Sequence, residues 1–395
     1  MRRLSHALTL NFALLTTGAQ CAAGETVRMV VDGQQRTYLI ERSTAAGPRP
    51  TVVMLHGINS TAERIAERTR LTQMGPRDGF VVVFPQSHGN AWNRFPPGKE
   101  TPHAVEFFRK VGGPPNDVGF LKTLVTDLIQ RGISDPARVH LAGLSNGGFL
   151  TLHMLCSAAE PFAAIGLLTT SMPDDTGPDC HPSNPLPVLM LGGTADQVIP
   201  YGGGLVSEST ISVWSFERST AFFRQLNGCD GEPGRSVVPG LQQRVEIEYS
   251  GPCRSGPVVV YRVVGGNHAT APDTLNAGQL LLDFFRDKVR NNAGRPQQQA
   301  AAGSVTGIEY SRLAGAMIVT GDMKRTASNE WIETNSRGSK WTFRATKESN
   351  SEIVLYDASR DIYVRIDLET KKLFIRKGTA EDWRVLANII ATNKN

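Results

Sequence analysis

The chain has 395 residues, of which 40% are hydrophobic, 20% charged and 7% aromatic; that is enough apolar surface for a sizeable core and excludes wholesale disorder, collagen and coiled coil. No apolar run reaches the ~18 residues that a membrane span needs, so no span is expected. The net charge of +5 sits at the two ends: Arg2 and Arg3 open the chain, residues 303–395 carry 15 Lys and Arg against 12 Asp and Glu, and the stretch between is balanced. A neutral central region gives no electrostatic reason to expect nucleic acid as a partner.

Residues 1–23 have a basic head, an apolar stretch from Ala7 to about Ala19 and small residues up to Ala23, the pattern of a signal peptide, and they predict a secreted or periplasmic protein. Thr26 to Arg42 alternates apolar and polar residues about Asp32-Gly33, which predicts a β-hairpin. Continuous apolar runs follow at Thr51–Leu55, Phe80–Phe84, Val139–Ala142, Ile165–Leu168, Val188–Leu191 and Val258–Val264; such runs suit strands covered on both faces. Helical patterns lie between them at Ala62–Met74, Val118–Arg131, Gly148–Ser157, Val213–Leu226 and Ala277–Val289. Strand alternating with helix predicts a doubly wound, mostly parallel α/β sheet over residues 24–290.

Residues 291–303 (NNAGRPQQQAAAG) lack apolar periodicity and read as a linker. Beyond it, in residues 304–395, Trp331–Glu333, Lys340–Ala345, Glu352–Tyr356, Ile362–Leu368 and Lys371–Arg376 are short, rich in β-branched or aromatic residues and separated by turn formers. They predict a small all-β module of five to seven strands. Its Trp and Tyr residues either build a small core or form an exposed face that holds an insoluble polymer.

Gly143-Leu144-Ser145-Asn146-Gly147 joins an apolar strand to a helix. The glycines two before and two after the serine relieve the crowding of a sharp turn that lifts its hydroxyl clear of the sheet. A plain Gly-rich turn is the bland alternative; the flanking strand and helix favour a nucleophile. A serine hydroxyl needs a histidine to take its proton and a carboxylate to orient that histidine. In α/β-hydrolases these follow in the order Ser, acid, His, and Asp196 and His268 each stand just past a predicted strand. Asp174, Asp175 and Asp179 lie in a turn-rich loop and read as solvated, His140 and His153 as packing residues. The backbone N–H groups of Asn146 and Ile58 are the candidate oxyanion donors, and His56 reads as a loop residue bonded to backbone. Asp117 is expected to cap the helix after it.

Four cysteines follow the signal. Cys156–Cys180 and Cys229–Cys253 are the expected pairs, because each closes a local loop between consecutive sheet elements. No metal motif and no phosphate loop is present, so neither metal nor cofactor is expected.

These landmarks resemble the secreted esterase family that groups polyhydroxybutyrate depolymerases with feruloyl and acetylxylan esterases. The resemblance rests on LHG at Leu55–Gly57, DGFVVVFPQ at Asp78–Gln86, Trp92-Asn93, NDVGFL at Asn116–Leu121, DPARV at Asp135–Val139, GLSNGG, GTAD and the GGNH turn. It implies the α/β-hydrolase fold and carboxylic-ester hydrolysis through an acyl-enzyme. The chain departs from the family at Gly192 and after His268, where a Trp-Pro pair is replaced by Ala269-Thr270-Ala271-Pro272. Trp92 is then either a wall of the acyl pocket or a packed anchor. A serine peptidase on the same fold and a non-catalytic binding or adhesion protein are the competing readings.

Overall fold

The computed structural model describes residues 24–290, apart from 96–97, and residues 305–394, apart from 315–316, 327–329, 337, 349–351, 369, 371 and 379–381. The expected signal at 1–23 and linker at 291–303 lie outside the described residues.

Twelve strands fall in the first part: β1 (Glu25–Val31), β2 (Gln34–Glu41), β3 (Arg49–Leu55), β4 (Val81–Pro85), β5 (Ser134–Leu144), β6 (Phe162–Leu168), β7 (Val188–Gly193), the short pair β8 (Gly204–Leu205) and β9 (Ser212–Val213), β10 (Gly234–Val237), β11 (Val245–Ser250) and β12 (Val258–Val263). Ten of them form one sheet in the order β1-β2-β4-β3-β5-β6-β7-β12-β11-β10. The six from β4 to β12 run parallel, and an antiparallel hairpin finishes each edge. At the first edge Asp32 and Gly33 both take positive φ, the conformation that a tight hairpin turn demands.

Successive residues of the central strands point to opposite faces, and both faces are covered. Val53, Leu55, Leu141, Ile165 and Met190 meet one helical layer, and Val52, Met54, Ala142, Ala164 and Leu191 meet the other. The helices are α1 (Ala62–Thr69), α2 (Leu71–Arg77), α3 (Pro102–Phe108), α4 (Asp117–Gln130), α5 (Asn146–Ala158), α6 (Phe216–Leu226), α7 (Ala271–Thr274) and α8 (Ala277–Phe285). The single helix expected over 62–74 is two, because Arg70 takes the left-handed conformation and ends α1 with its N–H on the Glu67 carbonyl.

Residues 305–394 hold eight antiparallel strands, from β13 (Val305–Ala314) and β14 (Met317–Arg325) through β15 (Glu330–Asn335), β16 (Lys340–Glu348), β17 (Glu352–Asp357), β18 (Ile362–Asp367) and β19 (Lys372–Lys377) to β20 (Arg384–Lys394). They close into a barrel by pairing β20 with β13, one strand more than the five to seven expected. Closure removes the exposed edges that an open sheet would present. Tyr310, Trp331 and Phe343 fill its interior with Ile353, Leu355 and Ile366. Other tail aromatics lie under guanidinium groups: Arg360 over Trp341, Arg365 over Phe374, Arg376 over Tyr363. The barrel meets the α/β part where the Ser311 hydroxyl donates to the buried Tyr249 hydroxyl. Tyr249 pairs with Val259 at the start of β12, the end of the sheet away from the loop that carries His268.

The two cysteine pairs form bonds, Cys156 to Cys180 and Cys229 to Cys253. In β5, His140 stacks on Phe285 at 4.6 Å, and burial drives its imidazole pKa down to about 3. The native protein therefore leaves this ring neutral where an unfolded chain protonates it, below about pH 6.5. The resulting stability is fully present above that pH and is lost as pH falls, by up to about 1.4 kcal/mol per pH unit. His140→Phe keeps an aromatic stack and removes the titration, so denaturant unfolding between pH 6 and 4 is expected to show a shallower loss of stability than in the unaltered protein. Identical slopes would contradict this account.

Candidate active site

Ser145 stands where β5 becomes α5, with φ 54° and ψ −118°. A non-glycine residue held in this sparsely occupied region is strained and needs its surroundings to hold it there. Those surroundings admit no side chain on the flanking glycines. A Cβ on Gly143 would lie 2.2 Å from the Gly147 carbonyl oxygen, and one on Gly147 would lie 2.6 Å from that of His56. Close backbone approach, not a positive φ, explains the glycines at this spacing.

The three residues singled out in the sequence converge here. His268 Nε2 lies 3.0 Å from Ser145 Oγ, and His268 Nδ1 lies 2.7 Å from Asp196 Oδ2. The other carboxylate oxygen of Asp196 accepts the N–H groups of Val198 and Ile199 at 2.9 and 3.0 Å, which fixes its plane. The loops bearing Asp196 and His268 are tied together, since the Ala195 N–H donates to the Gly266 carbonyl at 2.9 Å. A carboxylate on Nδ1 keeps that nitrogen protonated and leaves Nε2 free to accept the serine proton.

Asn146 opens α5, so its amide is among the donors without a partner inside the helix. Gly57, just before Ile58, packs against the elbow: a Cβ there would sit 3.5 Å from Ser145 Cβ. Both candidate oxyanion segments thus border the hydroxyl. His56 bonds to backbone as expected. Its Nε2 accepts from Ser87 N at 3.2 Å, which leaves the proton on Nδ1 to donate to the Gly57 carbonyl at 2.7 Å. Burial lowers its pKa and keeps it neutral.

Beside these segments opens a cleft of about 670 Å³, bordered by Ile58 and Asn146 and walled by Trp92, Phe95, Phe107, Phe108 and Ile211. Its polar groups include Arg94, whose guanidinium donates to Thr176 Oγ1 at 3.0 Å and to Asp175. Asp175 is exposed, as expected of a loop acid, and also pairs with Arg94. Trp92 both borders the cleft and is packed, with its indole N–H on the His56 carbonyl at 2.8 Å.

Asp117 corrects an expectation. Asn116, not Asp117, caps α4, accepting the Gly119 N–H at 2.9 Å. Asp117 is wholly buried, pairs with Arg36 of β2 and accepts the Asn93 N–H at 2.7 Å. Burial outweighs Arg36 and pushes its carboxyl up to about 6. Nothing local in the sequence marks this pair, whose members lie 81 residues apart. Among the described residues, no group of three or more His, Cys, Asp or Glu could hold a metal ion, and no helix is long and apolar enough to cross a membrane.

A mixed ten-stranded sheet with the serine elbow after β5, an acid after β7 and a histidine after β12 defines the α/β-hydrolase fold. Residues 37–177 match the family model described as "Esterase PHB depolymerase". Feruloyl esterase B of Piromyces equi is 26% identical over 247 residues, 60% of this chain and 42% of that protein. Poly(3-hydroxybutyrate) depolymerase of Ralstonia pickettii is 27% identical over 146 residues, 34% of this chain and 28% of that protein. Among solved structures, the acetyl xylan esterase from Aspergillus awamori is 14% identical and covers 67% of this chain and 99% of its own, with a TM-score of 0.48. The sequence matches, which include a bifunctional acetylxylan esterase/xylanase of Neocallimastix patriciarum at 24% identity over 40% of this chain and 21% of that protein, bear out the resemblance to polyhydroxybutyrate depolymerases and feruloyl and acetylxylan esterases, and the chain spans less than half the length of these curated relatives.

Removing the Asp117 carboxylate would leave the Arg36 charge buried without its partner, a change that costs about 3–5 kcal/mol in comparable buried pairs. Asp117→Asn is expected to lower the denaturant midpoint at pH 8 accordingly. A midpoint unchanged from the unaltered protein would show that the pair does not hold the Trp92-Asn93 segment.

Proposed function

We propose that the protein is a carboxylic-ester hydrolase that works through an acyl-enzyme on Ser145. The observation that carries this reading is the contact series from Asp196 to His268 to Ser145 at 2.7 and 3.0 Å, next to Asn146, which with Ile58 borders a cleft walled by aromatic side chains. In the first half-reaction Ser145 Oγ attacks the ester carbonyl carbon while His268 Nε2 takes its proton. The carbonyl oxygen becomes an oxyanion facing the N–H groups of Ile58 and Asn146. As the tetrahedral intermediate collapses, the C–O bond to the alcohol breaks and His268 returns the proton to the leaving oxygen. Water then attacks the acyl carbonyl and gives a proton to His268; as the acyl C–Oγ bond breaks, His268 returns that proton to Ser145 Oγ and the acid departs. Asp196 keeps the imidazole in the tautomer that both halves need and stabilises it when charged.

The apolar cleft suits the acyl side of a polyhydroxybutyrate-type polyester or of a feruloyl or acetyl ester of plant-wall polymers. The two disulfides support secretion into an oxidising compartment. The domain division belongs to the same reading, with residues 24–290 catalytic, 291–303 a linker and 304–395 a module that holds insoluble polymer.

The test is turnover of p-nitrophenyl acyl esters by the full chain, with Ser145→Ala as control. The unaltered protein should release p-nitrophenol and bind a fluorophosphonate probe, and Ser145→Ala should lose both. Labelling that persists in the variant would refute the nucleophile assignment. The inactive Ser145→Ala protein should still sediment with solid polyhydroxybutyrate or xylan if the barrel holds polymer, and its absence from both pellets would remove that role.

A further inference from the structure

Trp92 borders the cleft, which invites its assignment as a pocket wall, yet its polar atoms are committed elsewhere. It is only 3% exposed. Its indole N–H donates to the His56 carbonyl at 2.8 Å, and its backbone N–H donates to the side-chain oxygen of Asn146 at 2.7 Å. The Asn146 amide group donates back to the Trp92 carbonyl at 3.4 Å. His56 lies two residues before Ile58, and Asn146 directly follows Ser145. One residue therefore bonds to both chain segments whose N–H groups face the developing oxyanion.

We propose that Trp92 is a positioning residue that clamps the two halves of the oxyanion site together, with the side chain of Asn146 as its second contact. This rests on the ester-hydrolase reading above. The clamp is itself anchored. Asn93 donates its backbone N–H to Asp117 at 2.7 Å and its side-chain amide to the Pro115 carbonyl at 2.9 Å, and Asp117 pairs with Arg36. The chain of contacts runs from β2 and the start of α4, through Asn93 and Trp92 on the border of the cleft, to the side chain of Asn146, the residue after Ser145. Such support matters most in the transition state. Two N–H donors held in place need no reorganisation as charge gathers on the oxygen, whereas donors that drift must be reset during the reaction. A displacement of about 1 Å in a positioned group can cost about 100-fold in rate.

A clamp and a wall predict different kinetics. A wall that contacts the acyl chain changes KM, and only for acyl groups large enough to reach it. A clamp changes kcat by the same factor for every acyl group. Trp92→Phe keeps the ring and removes the indole N–H; Asn146→Ala keeps the backbone donor and removes the side-chain contact. Each should lower kcat for p-nitrophenyl acetate and for a bulky aromatic acyl ester by about 10- to 100-fold. KM should stay within about twofold, and fluorophosphonate labelling should slow in parallel.

Full kcat in Trp92→Phe, or a loss confined to KM for the bulky ester, would overturn the clamp. If Trp92→Phe does not fold, judged by near-ultraviolet circular dichroism, Asn146→Ala alone decides: a uniform fall in kcat supports the clamp, and unchanged kcat refutes it. Native protein that neither turns over esters nor takes the probe would instead refute the hydrolase reading on which the clamp depends.

Discussion

The backbone of Ser145 sits in a conformation that L-residues avoid, and most of the surrounding architecture is legible as what holds it there. The residue caps a buried strand and begins a buried helix, so neither neighbour can shift to relax it. Gly143 and Gly147 let two backbone segments approach more closely than any Cβ would allow. The same approach brings the His56-Gly57-Ile58 loop against the serine. Strain at one residue thus sets the position of the proposed nucleophile, of one proposed oxyanion segment and, through His56, of the Trp92 contact. The acid and the histidine come from loops after β7 and β12, which pair in register from Val188 and Val258 to Gly193 and Val263. Parallel strands of equal length end together, and that delivers Asp196 and His268 to the same edge as Ser145.

The barrel is placed by a different logic. It contacts the α/β part through Tyr249, at the end of the sheet remote from the His268 loop, and through β14 against α8. Its aromatic residues divide between the interior, where Trp331 and Tyr310 are almost fully buried, and the outer wall, where Arg365 and Arg376 also lie over Trp383. A surface that engages polymer would therefore combine guanidinium and aromatic groups rather than present bare rings.

How much of this the sequence discloses depends on what each segment buries. The parallel strands are legible because both faces are covered and the apolar runs are unbroken. The candidate triad is legible because the elbow demands glycine at fixed spacing and the partners follow strand ends. Strands β10 and β11 at the far side are not: GRSV is short and exposed, and VEIEYS alternates charged with apolar residues because its Glu248, though buried, pairs with Arg262 of β12. The first two strands and the last strand of the barrel escape for a related reason, their half-polar pattern resembling loop. The break at Arg70 has neither Gly nor Pro at the turn to announce it. Asp117 and Trp92 are misread or left open because their partners, Arg36, His56 and Asn146, are distant in the chain and only folding brings them together.

The central claim is that an acyl group passes through Ser145. Mixing the protein with a slowly hydrolysed aromatic ester, quenching in acid and mapping peptides by mass spectrometry tests it directly. The account predicts an added acyl mass on the peptide that contains Ser145, appearing within the first turnover and absent in Ser145→Ala. Ester turnover with the acyl group on another residue, or hydrolysis undiminished in Ser145→Ala, would contradict it.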